Sequence, residues 1–274
     1  MGFLMSSIVQ LNQLLSVKER FTLSGKKGFV TGAAGGIGRS TAAAMAELGA
    51  DVALVDLNLE EAKKNADFIA DKYGVKTMAI RCDVSSEEQV KAMVTQVLDT
   101  FGSIDVVHSN AGAIGIGYDN GDIGYEQWKR LIDVNLSGMF LVNQKAAQYM
   151  RDSGKGGAIV NTASISGHIV NRSGDRHSVA YQSAKAGVIH LTKAMAMDFC
   201  KDNVRINSVS PGDMKSGIHK GIPDEVMDGK TSDIPMKRFG SMNDIGGIVA
   251  FLLTDLAAYI TGEDILVDGG YCAW

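Results

Sequence analysis

The stretch FVTGAAGGIGRSTAAAMAELGA, residues 29–50, runs from a short apolar segment through a glycine-rich turn into a helix former rich in alanine. Glycines in such a turn let the backbone approach a pyrophosphate closely, while free N–H groups and the helix dipole stabilise its charge. Gly32, Gly36, Ile37 and Gly38 are therefore candidate cofactor contacts. The next apolar run, DVALVD, ends on Asp56. A carboxylate there accepts hydrogen bonds from an adenosine ribose diol and repels a 2′-phosphate, which favours NAD over NADP. Gly35, Leu57 and Asn58 supply no competing cation, and Arg39 is the basic residue left nearby. The absence of a GK[ST] triplet after the turn excludes a nucleoside triphosphatase loop.

Working outward, the same alternation continues. The runs GFVT, DVALVD, KTMAI, IDVVHS, GAIVNTA, VRINSVS and DILVDGG are separated by longer stretches of helical periodicity. Nearly continuous apolar strands joined by helix-length crossovers predict an α/β fold, a single doubly wound parallel sheet of Rossmann type with helices on both faces. The rhythm breaks over residues 213–243, which read as a lid or substrate loop. Residues 1–24 read as an N-terminal extension to a domain spanning 25–274, with Ile8, Leu11, Leu14 and Leu15 at the spacing of a short amphipathic helix.

Composition narrows the function classes. The chain has 274 residues, 45% of them hydrophobic and 21% charged, with a formal charge of −4, so it can bury a large core and lacks the basic field that attracts nucleic acid. The opening residues have no basic n-region, and no stretch is long enough to span a membrane, which points to the cytoplasm and to no membrane partner. Cys82, Cys200 and Cys272 lie far apart, without a CxxC, and His168, His177 and His219 have no ligand spacing, so no disulfide framework and no metal site are expected.

Further motifs follow the glycine turn in order: Asp83-Val84, Asn110-Ala111-Gly112, Asn135 in DVNLSGMF, Ser164 in IVNTASISG, Tyr181 with Lys185 in YQSAK, and Pro211-Gly212. Together with the TGxxxGxG spacing from Thr31, they resemble the short-chain dehydrogenase/reductase family over residues 24–274. The resemblance implies that Asp83 and Val84 flank the adenine and that the Asn110-Ala111-Gly112 turn supports the sheet beside the cofactor. It also implies that Pro211, Gly212, Met214 and Ser216 lead to the nicotinamide carboxamide. Ser109 and Ser216 depart mildly from the family's usual Asn and Thr. A homotetramer is the implied assembly.

Oxidising an alcohol by hydride loss also requires removing the hydroxyl proton, and a free tyrosine, with a pKa of about 10, is a poor base. An ammonium one helical turn away lowers that pKa, which assigns the acid/base to Tyr181 and the activating charge to Lys185. By resemblance Lys185 also holds the nicotinamide ribose, Ser164 bonds the substrate oxygen, and Asn135 supports a proton-relaying water. On a bare helix, Tyr and Lys at this spacing are ordinary surface residues; Ser164, Asn135 and the glycine turn reverse that reading. A noncatalytic NAD sensor would require one of these positions to be altered.

The serine-to-tyrosine spacing exceeds the family's usual one by roughly four residues, which must bulge into the substrate wall. They fall in NRSGDRHS, rich in donors and acceptors, where a steroid or acyl site would be apolar. Ser164, Ser166, His168 and Tyr181 are the substrate-facing candidates. The wording SISGHIVN, AKAGVIHLTKAMA and VDGGYCAW resembles the branch of arabinitol, mannitol, sorbitol and galactitol dehydrogenases. The expected substrate is a small polyol or sugar, with 3-oxoacyl and hydroxysteroid dehydrogenases as alternatives.

Overall fold

The computed structural model of the chain describes residues 16–114, 122–170, 178–215 and 231–273. Each apolar run read from the sequence forms a strand: β1 (Lys27–Thr31), β2 (Asp51–Asp56), β3 (Thr77–Arg81), β4 (Val106–Ser109), β5 (Gly157–Thr162), β6 (Val204–Pro211) and β7 (Asp264–Val267). They make one seven-stranded sheet in the order β3-β2-β1-β4-β5-β6-β7. Every pairing is parallel.

Alternation within the strands explains why both faces are covered. In β2, Ala53 and Val55 join one core while Val52 and Leu54 join the other, and all four are fully buried. The first core is capped by α3 (Glu87–Phe101), α5 (Gly138–Asp152) and α6 (Val179–Phe199), through Met93, Val142, Ala146 and Met195. The second is capped by α1 (Gly36–Glu47), α2 (Leu59–Tyr73) and α7 (Met242–Leu253), through Met45, Ile69 and Val249. A strand with apolar residues at every position is stable only between two such layers.

The strand order reverses between β1 and β4, so the turns leaving these neighbours border a crevice at the carboxyl edge of the sheet. The described end of the extension packs on the body. Arg20 donates to the carbonyl of Asp255 at 2.7 Å, and Leu23 is 1% exposed within the second core. Ile8, Leu11, Leu14 and Leu15 lie outside the described residues. Among those described, no helix is long and apolar enough to cross a membrane.

Candidate active site

The glycine turn is built to face an anion. The helices α2, α3, α6 and α7 are each capped by a side chain, from Asn58, Ser86, Ser178 and Ser241. Helix α1 has no side-chain cap and starts at Gly35. No side chain caps its first N–H groups, and the positive end of its dipole lies at the glycine turn. A Cβ on Gly35 would meet nothing within 4 Å, whereas one on Gly38 would sit 2.2 Å from the Gly32 carbonyl oxygen. One glycine leaves room for a ligand; the other lets the turn close on itself. The residues present fit a dinucleotide pyrophosphate.

Asp56 ends β2 beside this turn. Its Oδ2 accepts the Ala34 N–H and its Oδ1 the Asn58 N–H, both at 2.9 Å, so the carboxylate is fixed while each oxygen keeps acceptor capacity. No described ion pair neutralises it; Arg39 is exposed on α1. Asp83 turns inward on Ser85, while Val84 is 6% exposed. Across the crevice the Thr31 hydroxyl accepts the N–H groups of Asn110 and Ala111 at 2.9 and 3.0 Å, tying β1 to the turn after β4.

At the other end of the crevice the sequence candidates converge. Ser164 follows β5, caps the short turn Ile165–Gly167 and accepts the Ser166 N–H at 3.1 Å. Its side chain hydrogen-bonds to Tyr181 on α6. Lys185, one turn along and 2% exposed, places Nζ 5.6 Å from the centre of the Tyr181 ring and 2.7 Å from the Thr162 carbonyl oxygen. Burial pushes Lys185 down to about 8. The same burial raises Tyr181 above the ordinary phenol value, and the Ser164 hydrogen bond opposes it. The expectation that Lys185 draws the phenol down is thus corrected. Desolvation outweighs the effect of Ser164, and the phenol keeps its proton at neutral pH.

Asn135 lies in a π-helical turn, Asp133–Ser137, between α4 (Tyr125–Ile132) and α5. Such wide turns recur at functional sites. Its amide donates to the Ala113 and Leu131 carbonyls at 2.8 and 3.0 Å and accepts the Ala113 N–H at 3.2 Å. Both amide protons are therefore spent on protein, and a relaying water could use only the remaining lone pair of Oδ1.

The remaining candidates have partners of their own. The His168 Nε2 is bound to Asp264 Oδ2 at 2.7 Å, and Ser210 joins the same carboxylate at 2.8 Å. Among the described hydrogen bonds, none joins His168 to Ser164 or Tyr181. Ser166 is buried, at 7% exposure. Ser178, the last residue of the polar insertion, accepts the Tyr181 N–H as the cap of α6, a structural task in place of a substrate-wall one. The rest of the insertion, residues 171–177, lies outside the described residues, as do Ser216 and the loop 216–230. That loop's base is closed by a bridge between Met214 and Gly240. Pro211 is buried, and the Gly212 N–H bonds to the Val267 carbonyl. Sequence reasoning missed Thr162, whose carbonyl holds Lys185, because a main-chain acceptor leaves no mark on residue type.

Residues 32–272 match the family model described as enoyl-(acyl carrier protein) reductase. An NADP-dependent mannitol dehydrogenase from Alternaria alternata is 38% identical over 269 residues, covering 96% of this chain and 98% of that one. The chain belongs to the short-chain dehydrogenase/reductase family. It is an oxidoreductase that interconverts an alcohol and a ketone with a nicotinamide cofactor. A second relative in the family, a 3-oxoacyl-[acyl-carrier-protein] reductase from Staphylococcus aureus, is 38% identical over 250 residues, covering 89% of this chain and 97% of that one. A solved short-chain dehydrogenase/reductase from Mycobacterium marinum superposes with a TM-score of 0.88 at 39% identity, covering 94% of this chain and all of that one.

Proposed function

We propose that this enzyme is an NAD-dependent dehydrogenase of a polyol or sugar alcohol, with Tyr181 as acid/base. The observation that carries the reading is the buried Lys185 ammonium 5.6 Å from the Tyr181 ring, with Ser164 acting on the same phenol, at the carboxyl edge of the sheet. Bound nicotinamide supplies or accepts the hydride. In the oxidative direction Tyr181 Oη takes the substrate hydroxyl proton, Ser164 holds the oxygen, and Lys185 balances the developing phenolate. In reduction Tyr181 returns that proton to the ketone oxygen. Asn135 anchors the chain after β4 and offers Oδ1 to a relaying water. Gly32, Gly36, Ile37, Gly38, Asp56, Asp83, Val84, Asn110, Ala111, Gly112, Pro211, Gly212 and Met214 would hold the cofactor, and Ser166 and His168 would stand behind the substrate.

The hydroxyl-rich substrate class is supported by the mannitol dehydrogenase relative and by the donor-rich insertion before Ser178. The preference for NAD rests on the Asp56 carboxylate. A second reading, NADP, is favoured by exposed Arg39 at the start of α1 and by the NADP dependence of that relative. A homotetramer is supported by the open edge of β7, where Leu266 is 42% exposed. The free thiols of Cys82, Cys200 and Cys272 accord with a reducing cytoplasm.

The test is a panel of polyols, ketoses, steroids and acetoacetyl thioesters, each with both dinucleotides. Turnover of polyols with the higher kcat/KM for NAD is expected. Turnover confined to steroids or thioesters would overturn the substrate class, and a higher kcat/KM for NADP the cofactor.

A further inference from the structure

His108, on β4, has no exposed surface, and the chemistry above does not use it. Burial, with Lys185 adding to it, pushes its pKa down to about 3, so the ring is neutral and carries one N–H and one bare acceptor. Its Nε2 lies 2.9 Å from the Thr162 Oγ1, which lies 3.0 Å from the Asn110 Oδ1. The Asn110 Nδ2 lies 3.0 and 3.3 Å from the carbonyl oxygens of Thr31 and Gly32.

The directions in this chain are forced. Carbonyl oxygens only accept, so the Asn110 amide must present Nδ2 to the glycine turn and Oδ1 to Thr162. The single hydroxyl proton of Thr162 then goes to Asn110, and Thr162 must accept from His108. The proton of His108 therefore sits on Nε2, and the atom left without a partner, Nδ1, is a lone pair. With the other tautomer, His108 would compete for the Thr162 proton. The Asn110 amide could then turn over and set its carbonyl against those of Thr31 and Gly32.

We propose that His108 is a positioning residue for the dinucleotide site, acting through the Thr162 hydroxyl and the Asn110 amide to hold the glycine turn in its binding shape. This rests on the reading that the turn binds the dinucleotide. The carbonyl of Thr162, which holds Lys185, is a separate handle on the same residue, so losing the hydroxyl leaves that contact in place.

The experiment titrates NADH and NADPH by fluorescence against the full chain and its His108→Val, Thr162→Val, double and His108→Gln variants, with kcat, KM and Tm measured alongside. Each single valine variant is expected to weaken the better dinucleotide about tenfold. The double variant should be no weaker than either single, because one chain is cut in both. His108→Gln places an N–H near the lost Nε2 and should recover most of the affinity. A merely structural role lowers Tm and leaves Kd alone. Unchanged Kd in Thr162→Val, additive losses in the double variant, or a glutamine no better than valine each overturn the proposal. Should His108→Val fail to fold, Thr162→Val alone decides. A wild-type chain that binds neither dinucleotide overturns the parent reading and this one with it.

Discussion

The Nζ of Lys185 lies 2.7 Å from the carbonyl oxygen of Thr162, and the lysine is 2% exposed. An ammonium held this way loses most of its hydration and gains little in exchange, which is why burial lowers it from 10.5 to about 8. Below pH 8 the group is protonated both folded and unfolded, and the fold bears the full desolvation cost. Between about 8 and 10.5 the folded state releases its proton first, so stability rises with pH; above 10.5 the effect is complete. Comparing wild type with Lys185→Met by urea denaturation should show the difference moving in favour of wild type by about 3 kcal/mol from pH 7 to 11. A pH-independent difference would mean the ammonium is not buried.

Tyr181→Phe should lower kcat by about a thousandfold or more and leave dinucleotide affinity unchanged. Because burial raises the Tyr181 pKa, the phenol is poised at neutral pH to donate a proton, which suits ketone reduction. Alcohol oxidation needs the phenolate and should climb steadily from pH 7 to 10. A flat oxidation profile across that range, or a near-normal kcat in the variant, rules out this acid/base.

The glycines of the turn separate binding from folding. Gly35→Ala meets no protein atom and keeps an ordinary extended backbone, so its Tm should match wild type while dinucleotide binding drops about tenfold or more. Gly38→Ala drives a methyl into the Gly32 carbonyl and should cost about 1–3 kcal/mol of stability as well. Gly35→Ala with full affinity would place the pyrophosphate elsewhere.

Asp56→Asn keeps an acceptor for Ala34 but removes the charge. We expect kcat/KM with NAD to fall roughly tenfold and with NADP to fall less or rise. An unchanged ratio of the two would show that discrimination lies with another residue, Arg39 being the first to exchange.

Which residues were legible in the sequence follows from the physics each obeys. Strand runs such as DVALVD announce themselves because both faces of a parallel strand must be apolar, and β2 is buried accordingly. Asp56, Ser164, Tyr181 and Lys185 could be named because their chemistry demands a residue type at a spacing. Ser178 read as substrate wall and is a helix cap, since a polar residue before a helix serves either purpose equally well on composition. His168 read as a substrate contact, and Asp264, distant in sequence, claims its Nε2.

By itself the sequence determined the alternating architecture, the glycine turn and the order of the reactive residues, because periodicity and local backbone demands are written residue by residue. Only the tertiary structure decided that burial raises Tyr181 and lowers Lys185, that the Thr162 carbonyl receives the lysine, and that neutral His108 feeds a chain of hydrogen bonds into the turn. Desolvation and hydrogen-bond direction depend on which atoms meet in space. Those meetings join β4, β5 and α6, which are far apart along the chain.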